Sequence, residues 1–316
     1  MEYFLLIIGF VLLVKGADFF VDGASSIAEK LKVPSLIIGL TVVSIGTSLP
    51  EAAVSISASL GGSNDISLGN VIGSNIFNLL MVVGISSIIL PVVSDRDVLR
   101  RDMPVNIAIT GVLCVMLLDG TLSRIDAAIL LLLLAVYMFI LIRSALKNRS
   151  EGEEQKVMTW TKSLIFVAMG AAAIIGGGQL VVYSATTIAR TLGMGQTLVG
   201  LTVVAIGTSL PELVTSIVAA RKGNSGIAMG NAVGSCIFNI LFILGMAGVI
   251  SPMKLNSVSA SEFFIDTGIL IGVSALMMLF AFTKKKTSRV EGAVCVLIYV
   301  AYTAYIIMRA YGLWIF

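Results

Sequence analysis

"GLTVVSIGTSLPE" occupies residues 39–51, and "GLTVVAIGTSLPE" occupies residues 200–212. Twelve of the thirteen letters agree, and each copy carries a proline and then a glutamate inside an otherwise apolar stretch. A proline interrupts the helix that such a stretch would form, and a carboxylate is costly to bury in apolar surroundings. Because both unfavourable residues recur in the same context, the repeat predicts a polar site built from two copies of one element.

The repeat extends beyond this proline-glutamate motif. "GNVIGSNIFN" at residues 69–78 returns as "GNAVGSCIFN" at residues 230–239 with seven of ten letters identical, and in both motifs the copies lie 161 residues apart. The chain therefore divides into two homologous halves, residues 1–142 and 163–316, joined by a short polar linker at 143–162. The alternative is a duplication that serves only as a scaffold. It is disfavoured because the polar letters agree better between the copies than the apolar ones.

The composition indicates a protein that crosses a membrane several times. Of the 316 residues, 57% are hydrophobic and 12% are charged, and the mean hydropathy is +1.03. A soluble domain usually carries about 25% charged residues. A membrane-spanning helix needs about 20 apolar residues, and we predict ten such spans. They cover residues 3–28, 33–58, 68–91, 103–119, 124–142, 163–188, 193–219, 227–251, 261–281 and 290–310.

Each half then holds five spans, which is an odd number. The second half must enter the membrane from the opposite side, and this is the inverted-topology repeat of secondary transporters. The predicted fold is therefore an all-α membrane protein with ten transmembrane helices in two inverted-topology repeats of five, and with broken helices at the proline-glutamate motifs. The first span lacks a basic leader, so we expect it to be retained rather than cleaved.

The lysines and arginines predict the orientation. If the N-terminus is outside, sixteen of them fall in or beside inner loops and four in or beside outer loops, which is a strong positive-inside bias. We expect a multi-pass protein of the cell (plasma) membrane with both termini extracytoplasmic and the linker in the cytoplasm. The basic residues are interpreted as topology anchors, so we expect no nucleic-acid partner.

Several kinds of chemistry are excluded by the residue types. The chain has no histidine, and its three cysteines, Cys114, Cys236 and Cys295, lie in predicted spans without paired spacing. Histidine triads, histidine-ligated zinc and a disulfide framework are therefore excluded. We expect a protein that is not an enzyme, needs no cofactor and has no obligatory protein partner. Its expected surroundings are the lipid bilayer.

The proline-glutamate motif supplies oxygen atoms. Pro50 has no N–H, so we expect the carbonyls near Ser44 to be freed from the helix ladder. The oxygen-bearing positions are Ser44, Thr47, Ser48 and Glu51 in the first copy and Ala205, Thr208, Ser209 and Glu212 in the second. Such oxygens are the ligands of hard cations such as Ca²⁺ and Na⁺. Two carboxylates carry a charge of −2, so the pattern favours a site that exchanges one divalent cation for several monovalent ones.

The second motif places more polar side chains on one helical face, because its polar residues recur every four positions. These residues are Asn70, Ser74 and Asn78 in the first copy and Asn231, Ser235 and Asn239 in the second. For Asn70 and Asn231, a hydrogen bond between helices is as good an interpretation as ion contact. We expect the other four to contact ions.

Charged residues elsewhere in the spans have a simpler interpretation. Lys15 and Asp18 lie three residues apart on a predicted helix, so we expect them to pair. Asp22, Glu262 and Asp266 fall towards the ends of spans and have no acidic counterpart in the other half. We expect these three to be interfacial.

Taken together, "GTSLPE" and "GNxxGSNxFN", present twice in inverted halves, resemble the alpha-repeats of the cation/Ca²⁺ antiporter superfamily, above all those of prokaryotic sodium/calcium exchangers. The resemblance covers the whole chain. It implies exchange of Ca²⁺ for Na⁺ by alternating access, with ions bound at the membrane midplane between the repeats. It implies Glu51 and Glu212 as the main carboxylate ligands. Further oxygens would come from the hydroxyls of Thr47, Ser48, Ser74, Thr208, Ser209 and Ser235 and from the backbone at Ser44 and Ala205.

Alternative functions remain at this stage. In the superfamily that the chain resembles, the proton/calcium branch has a glutamate in a "GNxxE" pattern. This chain lacks that glutamate, so proton coupling is disfavoured. The potassium-dependent branch has an aspartate where this chain has Asn239, so potassium coupling is disfavoured too. An H⁺- or K⁺-coupled Ca²⁺/cation antiporter is nevertheless the main alternative. A cation channel could use the same ligands. An intramembrane hydrolase using Glu51 and Glu212 would lack a nucleophile and base.

Overall fold

The computed structural model describes residues 1–93, 96–147, 158–193, 203, 205–255 and 257–311. Half of the predicted linker, residues 148–157, and the beginning of the seventh predicted span lie outside these residues. Within them the chain is almost entirely helical, and its long apolar helices are connected by short turns.

The α-helices follow one another along the described part of the chain. They are α1 (Glu2–Leu31), α2 (Ser35–Ile38), α3 (Ser44–Thr47), α4 (Leu49–Leu60), α5 (Asn64–Phe77), α6 (Val83–Ile89), α7 (Met103–Met116), α8 (Arg124–Lys147), α9 (Trp160–Thr191), α10 (Ala205–Thr208), α11 (Leu210–Arg221), α12 (Ser225–Phe238), α13 (Gly245–Ile250), α14 (Ser257–Lys284) and α15 (Arg289–Ala310). π-Helical turns at Gly39–Val43, Asn78–Val82 and Asn239–Leu244 join α2 to α3, α5 to α6 and α12 to α13, and another at Val98–Asp102 precedes α7.

Several of these helices can cross a membrane by length and composition. Among the described residues seven segments qualify, and the pair Ser35–Thr47 and Leu49–Leu60, bent by 49°, makes an eighth. α7 has 14 residues, which is short of the about 20 that a full span needs. The seven segments are Glu2–Leu31, Asn64–Ile89, Arg124–Lys147, Trp160–Thr191, Ser225–Ile250, Ser261–Phe282 and Arg289–Ala310. The multi-pass membrane architecture is confirmed, and the count of ten stays a prediction.

The interior is formed by the two segments that carry the second motif. In Asn64–Ile89 and Ser225–Ile250, 72% and 78% of the most apolar window is buried, against 17% to 33% in the other five spans. The two segments therefore lie at the centre of the protein, and the outer helices present most of their side chains to lipid. A polar site on α5 or α12 is consequently shielded from the hydrocarbon.

The predicted helix break is present in both copies of the proline-glutamate motif. Ser48 has φ −85° and ψ 7°, which leaves the helical region, and Pro50 lies in the first turn of α4. Ser209 has φ −92° and ψ 4°, and Pro211 lies in the first turn of α11. One detail of the prediction is wrong. The Ser44 carbonyl stays in the helix ladder because it accepts the Ser48 N–H at 3.0 Å, so the break begins only at Ser48.

Two small β-sheets depart from the all-α prediction. β1 (Val92–Val93) pairs antiparallel with β4 (Lys286–Thr287), and β2 (Thr121–Leu122) pairs antiparallel with β3 (Met253–Lys254). Each sheet joins a connection of the first half to a connection of the second half. Pairs of two residues give no periodic sequence signal, so hydropathy patterns could not reveal them.

α1 and α9 pack against each other along a row of small residues. A Cβ atom on Gly9 would lie 2.9 Å from the Gly177 carbonyl oxygen, and one on Gly16 would lie 3.0 Å from the Gly170 carbonyl oxygen. Further along, a Cβ atom on Gly23 would lie 2.8 Å from the carbonyl oxygen of Ser163. The order of these contacts shows that the two helices run antiparallel. Small residues allow backbones in a membrane to approach this closely.

The peripheral charges pair differently from the sequence prediction. Asp18 lies 3.4 Å from the Lys222 ammonium and Asp22 lies 2.6 Å from it, so the predicted Lys15–Asp18 pair is wrong. The physical reason is that a loop distant in sequence brings a better placed cation to α1. Asp266 and Glu262 pair in the same way with a distant residue, Arg309 of α15, at 2.8 and 3.7 Å.

Candidate functional site

The two motif glutamates lie at equivalent places in the fold. Glu51 is in the first turn of α4 and Glu212 is in the first turn of α11, and both side chains are 0% exposed. The positive end of a helix dipole favours a negative charge in its first turn. The helix break therefore has two effects: it starts a new helix at the centre of the protein, and it places a carboxylate at that helix's favourable end.

Each carboxylate is bound by a serine of the other half. The Ser209 hydroxyl donates to Glu51 Oε1 at 2.9 Å, and the Ser48 hydroxyl donates to Glu212 Oε1 at 2.8 Å. A shift of 161 residues converts one contact into the other. The two copies of the motif are thus brought together, as the sequence predicted for a single site built in two halves.

The other motif hydroxyls surround the same carboxylates. Ser74 Oγ lies within hydrogen-bond distance of Ser209 Oγ, at 3.1 Å, and Ser235 Oγ donates to Glu212 Oε1 at the long distance of 3.5 Å. Thr208 contacts the Glu51 carboxylate and Thr47 contacts the Glu212 carboxylate. Thr47 also donates to the Asn231 side-chain oxygen at 2.9 Å. Ser44 is buried in α3, and Ala205 is the equivalent first residue of α10.

Asn70 and Asn231 hold the broken helices in place. The Asn70 amide donates to Ser55 Oγ at 2.9 Å and to the Glu51 carbonyl at 3.4 Å. The Asn231 amide donates to Ser216 Oγ at 2.9 Å and to the Glu212 carbonyl at 3.1 Å. Of the two interpretations left open by the sequence, the structure therefore supports hydrogen bonding between helices for this pair.

Four buried oxygens of the predicted ligands have no hydrogen-bond donor among the described residues. They are Oε2 of Glu51, Oε2 of Glu212, Oδ1 of Asn78 and Oδ1 of Asn239. Burying such an acceptor without a partner costs about 1–3 kcal/mol, and more for a charged group. Carboxylate, hydroxyl and amide oxygens form the ligand set of a hard cation. A bound cation would satisfy these four oxygens in place of a hydrogen-bond donor. The donor set therefore fits Ca²⁺ or Na⁺ as a substrate.

Three residues of this region were missed by the sequence reasoning. Ser55 and Ser216 follow the glutamates by four residues, and this spacing could have revealed them because it places them on the same helical face. Asn75 is completely buried and bonds to Asn239 and to the backbone of Cys236. The residue type at this position differs between the two copies, Asn in the first and Cys in the second, so a search for identical letters does not find it.

Comparison with known protein families matches residues 1–143 and 162–308 to the family described as "Sodium/calcium exchanger protein". Among curated proteins, the sodium/calcium exchanger MaX1 of Methanosarcina acetivorans is 35% identical over 342 residues, covering 95% of this chain and 97% of that protein. The inner membrane protein YrbG of Escherichia coli (strain K12) is 37% identical over 290 residues, covering 89% of this chain and 88% of that protein.

A solved structure of a similar protein covers nearly the whole chain. The sodium-calcium exchanger NCX_Mj, soaked with Na⁺ and Sr²⁺, superimposes with a TM-score of 0.83 at 33% sequence identity. The match covers 96% of this chain and 98% of that one. The similarity therefore extends over nearly the whole chain, and not only over the two motifs.

Proposed function

This chain belongs to the sodium/calcium exchanger protein family, and from that premise we propose that its two buried glutamates bind the Ca²⁺ and Na⁺ that it exchanges across the membrane. The observation that carries the proposal is the reciprocal contact of Glu51 with Ser209 and of Glu212 with Ser48, in which each carboxylate keeps one oxygen without a protein donor among the described residues. Both halves accordingly contribute oxygen atoms to one site between them.

The charge of the site explains why exchange is the expected activity. Two carboxylates at one buried place repel each other unless cations or protons balance them. One Ca²⁺ or two Na⁺ would restore neutrality, and the electrostatic interaction is strong because water is excluded. The electrostatic cost is therefore high if Ca²⁺ leaves without Na⁺ binding, or Na⁺ leaves without Ca²⁺ binding. This cost favours exchange over transport of one ion without a counter-ion.

The proposed ligands follow from the contacts around the carboxylates. Besides Glu51 and Glu212 they are the hydroxyls of Thr47, Ser48, Ser74, Thr208, Ser209 and Ser235, the amide oxygens of Asn78 and Asn239, and the backbone oxygens at Ser44 and Ala205. The Ser44 carbonyl accepts the Ser48 N–H and lies 3.3 Å from the Thr47 hydroxyl. Thr47 has one proton and a nearer acceptor in the Asn231 side chain at 2.9 Å, so the second lone pair of the carbonyl can face a cation. No cofactor takes part in this chemistry.

We also propose that the fold is an inverted repeat of ten spans, with residues 1–142 and 163–316 on either side of a cytoplasmic linker at 143–162. The two sheets support this. A shift of 161 residues carries β1 onto β3, and β1 pairs with β4 whereas β3 pairs with β2. In the ten-span arrangement β1 and β4 both lie inside, and β2 and β3 both lie outside. Such pairing requires each pair of connections to share one side of the membrane.

The orientation with both termini extracytoplasmic rests on the basic residues. It is tested by labelling with a membrane-impermeant thiol reagent in intact cells. A cysteine at Ser288, beside β4, should not react, and one at Ser63, in the turn before α5, should react. A cysteine at Ser150, outside the described residues, should behave like the one at Ser288. The opposite pattern would reverse the orientation in the cell membrane.

The function is tested by ⁴⁵Ca²⁺ uptake into proteoliposomes loaded with Na⁺, K⁺ or choline, with and without a pH gradient. Na⁺-loaded vesicles should take up Ca²⁺, and K⁺ on either side should make no difference because Asn239 adds no third negative charge to balance it. Uptake driven by K⁺ or by protons alone would contradict Na⁺ coupling. Ca²⁺ currents that need no counter-ion would indicate a channel.

A further inference from the structure

The central helices α5 and α12 cross at two residues that are equivalent in the repeat. Asn75 donates from its side-chain amide to the Cys236 carbonyl at 3.0 Å, and the Cys236 thiol lies 3.6 Å from the Asn75 carbonyl. A shift of 161 residues carries Asn75 onto Cys236. The axis that relates the two halves therefore passes between these residues, and the site is asymmetric at its axis because one residue is an amide and the other a thiol.

The asymmetry reaches two of the proposed ligands. The Asn239 amide nitrogen donates to Asn75 Oδ1 at 3.0 Å, and its own oxygen has no donor among the described residues. Asn78 is the equivalent residue of the first half, and neither its nitrogen nor its oxygen has a hydrogen-bond partner in the described part of the chain. The side chain that could orient Asn78 would be at position 236, where the cysteine offers no amide.

We propose that Asn75 is a positioning residue that fixes the amide of Asn239 with its oxygen towards the cation site, whereas Asn78 is left free to turn. This inference rests on the proposed function, in which Asn239 is a ligand. An amide presents a negative oxygen on one side and a positive NH₂ group on the other. Only the first attracts a cation, so the hydrogen bond from Asn239 to Asn75 removes the orientation that would repel it.

The orientation of the Asn239 amide should affect the binding of Na⁺ more than the binding of Ca²⁺. One Ca²⁺ can be balanced and coordinated mainly by the two carboxylates. Several Na⁺ ions must divide the same carboxylates between them, and each still needs oxygen ligands of its own. The Na⁺-loaded state therefore depends more on neutral oxygens such as Oδ1 of Asn239.

The experiment measures the Na⁺ and Ca²⁺ dependence of exchange in proteoliposomes for Asn75→Ala, Asn239→Ala and the double variant. Loss of one neutral hydrogen bond corresponds to a change of about five-fold in the population of the correct orientation. Asn75→Ala should raise the Na⁺ concentration for half-maximal exchange about five-fold, and the KM for Ca²⁺ should change less than about two-fold. Asn239→Ala should have at least the same effect, and the double variant should equal Asn239→Ala.

Cys236→Ala is the matched control, because it alters the same helix crossing without touching Asn239, and its Na⁺ dependence should stay at the unmodified value. Asn75→Ser, which keeps a small polar residue at the crossing, serves if the alanine variant does not fold. An unchanged Na⁺ dependence in folded Asn75→Ala or Asn75→Ser, with a raised one in Asn239→Ala, overturns this inference and leaves the proposed function intact. An unchanged Na⁺ dependence in Asn239→Ala also overturns this inference, and it removes Asn239 from the proposed ligands.

Discussion

The two halves of the molecule are the same where they hold the carboxylates and differ one layer further out. Ser48 and Ser209 make the same contact with the opposite glutamate, at 2.8 and 2.9 Å. By contrast, Ser59 of the first half donates to carbonyls of Ala247 and Ser251 at 3.4 and 3.2 Å, whereas Ala220 at the equivalent place has no hydroxyl. The comparison teaches that the inner layer, meaning the contacts of Ser48 and Ser209 with the two glutamates, obeys the repeat. The residues around these contacts are free to distinguish the two halves.

The largest effect is expected at the carboxylates, where the halves should be equally indispensable. Glu51→Gln and Glu212→Gln should each reduce Na⁺-dependent Ca²⁺ uptake to background, because a neutral amide cannot balance a divalent cation where water is excluded. Glu262→Gln, which changes a half-exposed acid at the periphery, is the control and should transport normally. Near-normal flux in either variant, at equal expression, would remove that residue from the site and break the equivalence.

A smaller and again equal effect is expected at the serines that cross between the halves. Ser48→Ala and Ser209→Ala each remove a hydrogen bond to a charged acceptor, which contributes about 1.5–3 kcal/mol. The apparent affinity for Ca²⁺ should fall at least about ten-fold in both. Ser163→Ala, which removes a buried hydroxyl bonded to Ser26 at 2.9 Å, should leave affinity unchanged. Effects that differ strongly between Ser48 and Ser209 would show that the inner layer is also unequal.

The packing of α1 on α9 allows a test of equivalence through stability. A Cβ atom at Gly170 would lie 2.6 Å from the Phe20 backbone nitrogen, and nothing lies within 4 Å of one at Gly176. Gly170→Ala should destabilise the protein by about 1–3 kcal/mol through overpacking. Gly176→Ala should be neutral or stabilising because alanine favours a helix. Gly9, the equivalent of Gly170, should respond as Gly170 does when the thermal unfolding of purified protein is followed.

The smallest effect is expected at a contact that only one half possesses. Lys222 bonds to Asp18 and Asp22, and the equivalent of Lys222 is Gly61, which has no side chain. These groups are partly exposed, so Lys222→Met should cost at most about 1 kcal/mol. The difference in melting temperature from the unmodified protein should shrink when choline chloride is added, because salt screens exposed charges. A large loss that is independent of salt would contradict the assignment of this ion pair to the protein surface.

The sequence was sufficient for the features that depend on local residues. Apolar composition predicted a multi-pass membrane protein, and proline after a glycine-containing turn predicted the break that the structure places at Ser48 and Ser209. The pairing of the two motifs also followed from the repeat, because the substrate site of a transporter with inverted repeats lies between the two repeats.

Contacts that depend on the register between distant helices could not be predicted. Lys222 meets Asp18 across 204 positions in the chain, and no local spacing could favour it over the nearer Lys15. Asn75 escaped notice for a related reason: its importance comes from bonding to Asn239 on another helix, and its own repeat partner is a cysteine. The two-residue sheets are likewise set by which loops the helices bring together.

The sheet between β1 and β4 has a consequence for how the protein is made. Val93 pairs with Lys286, and 193 positions separate them in the chain. Ribosomes add about 5–20 residues per second, so the β1 connection waits on the order of 10 to 40 s for its partner. Glu51 also waits for Ser209 during this time. The Glu51 carboxylate of the first half therefore waits in the membrane without its Ser209 donor, and we expect correct assembly to depend on the first half being held there until β4 has been made.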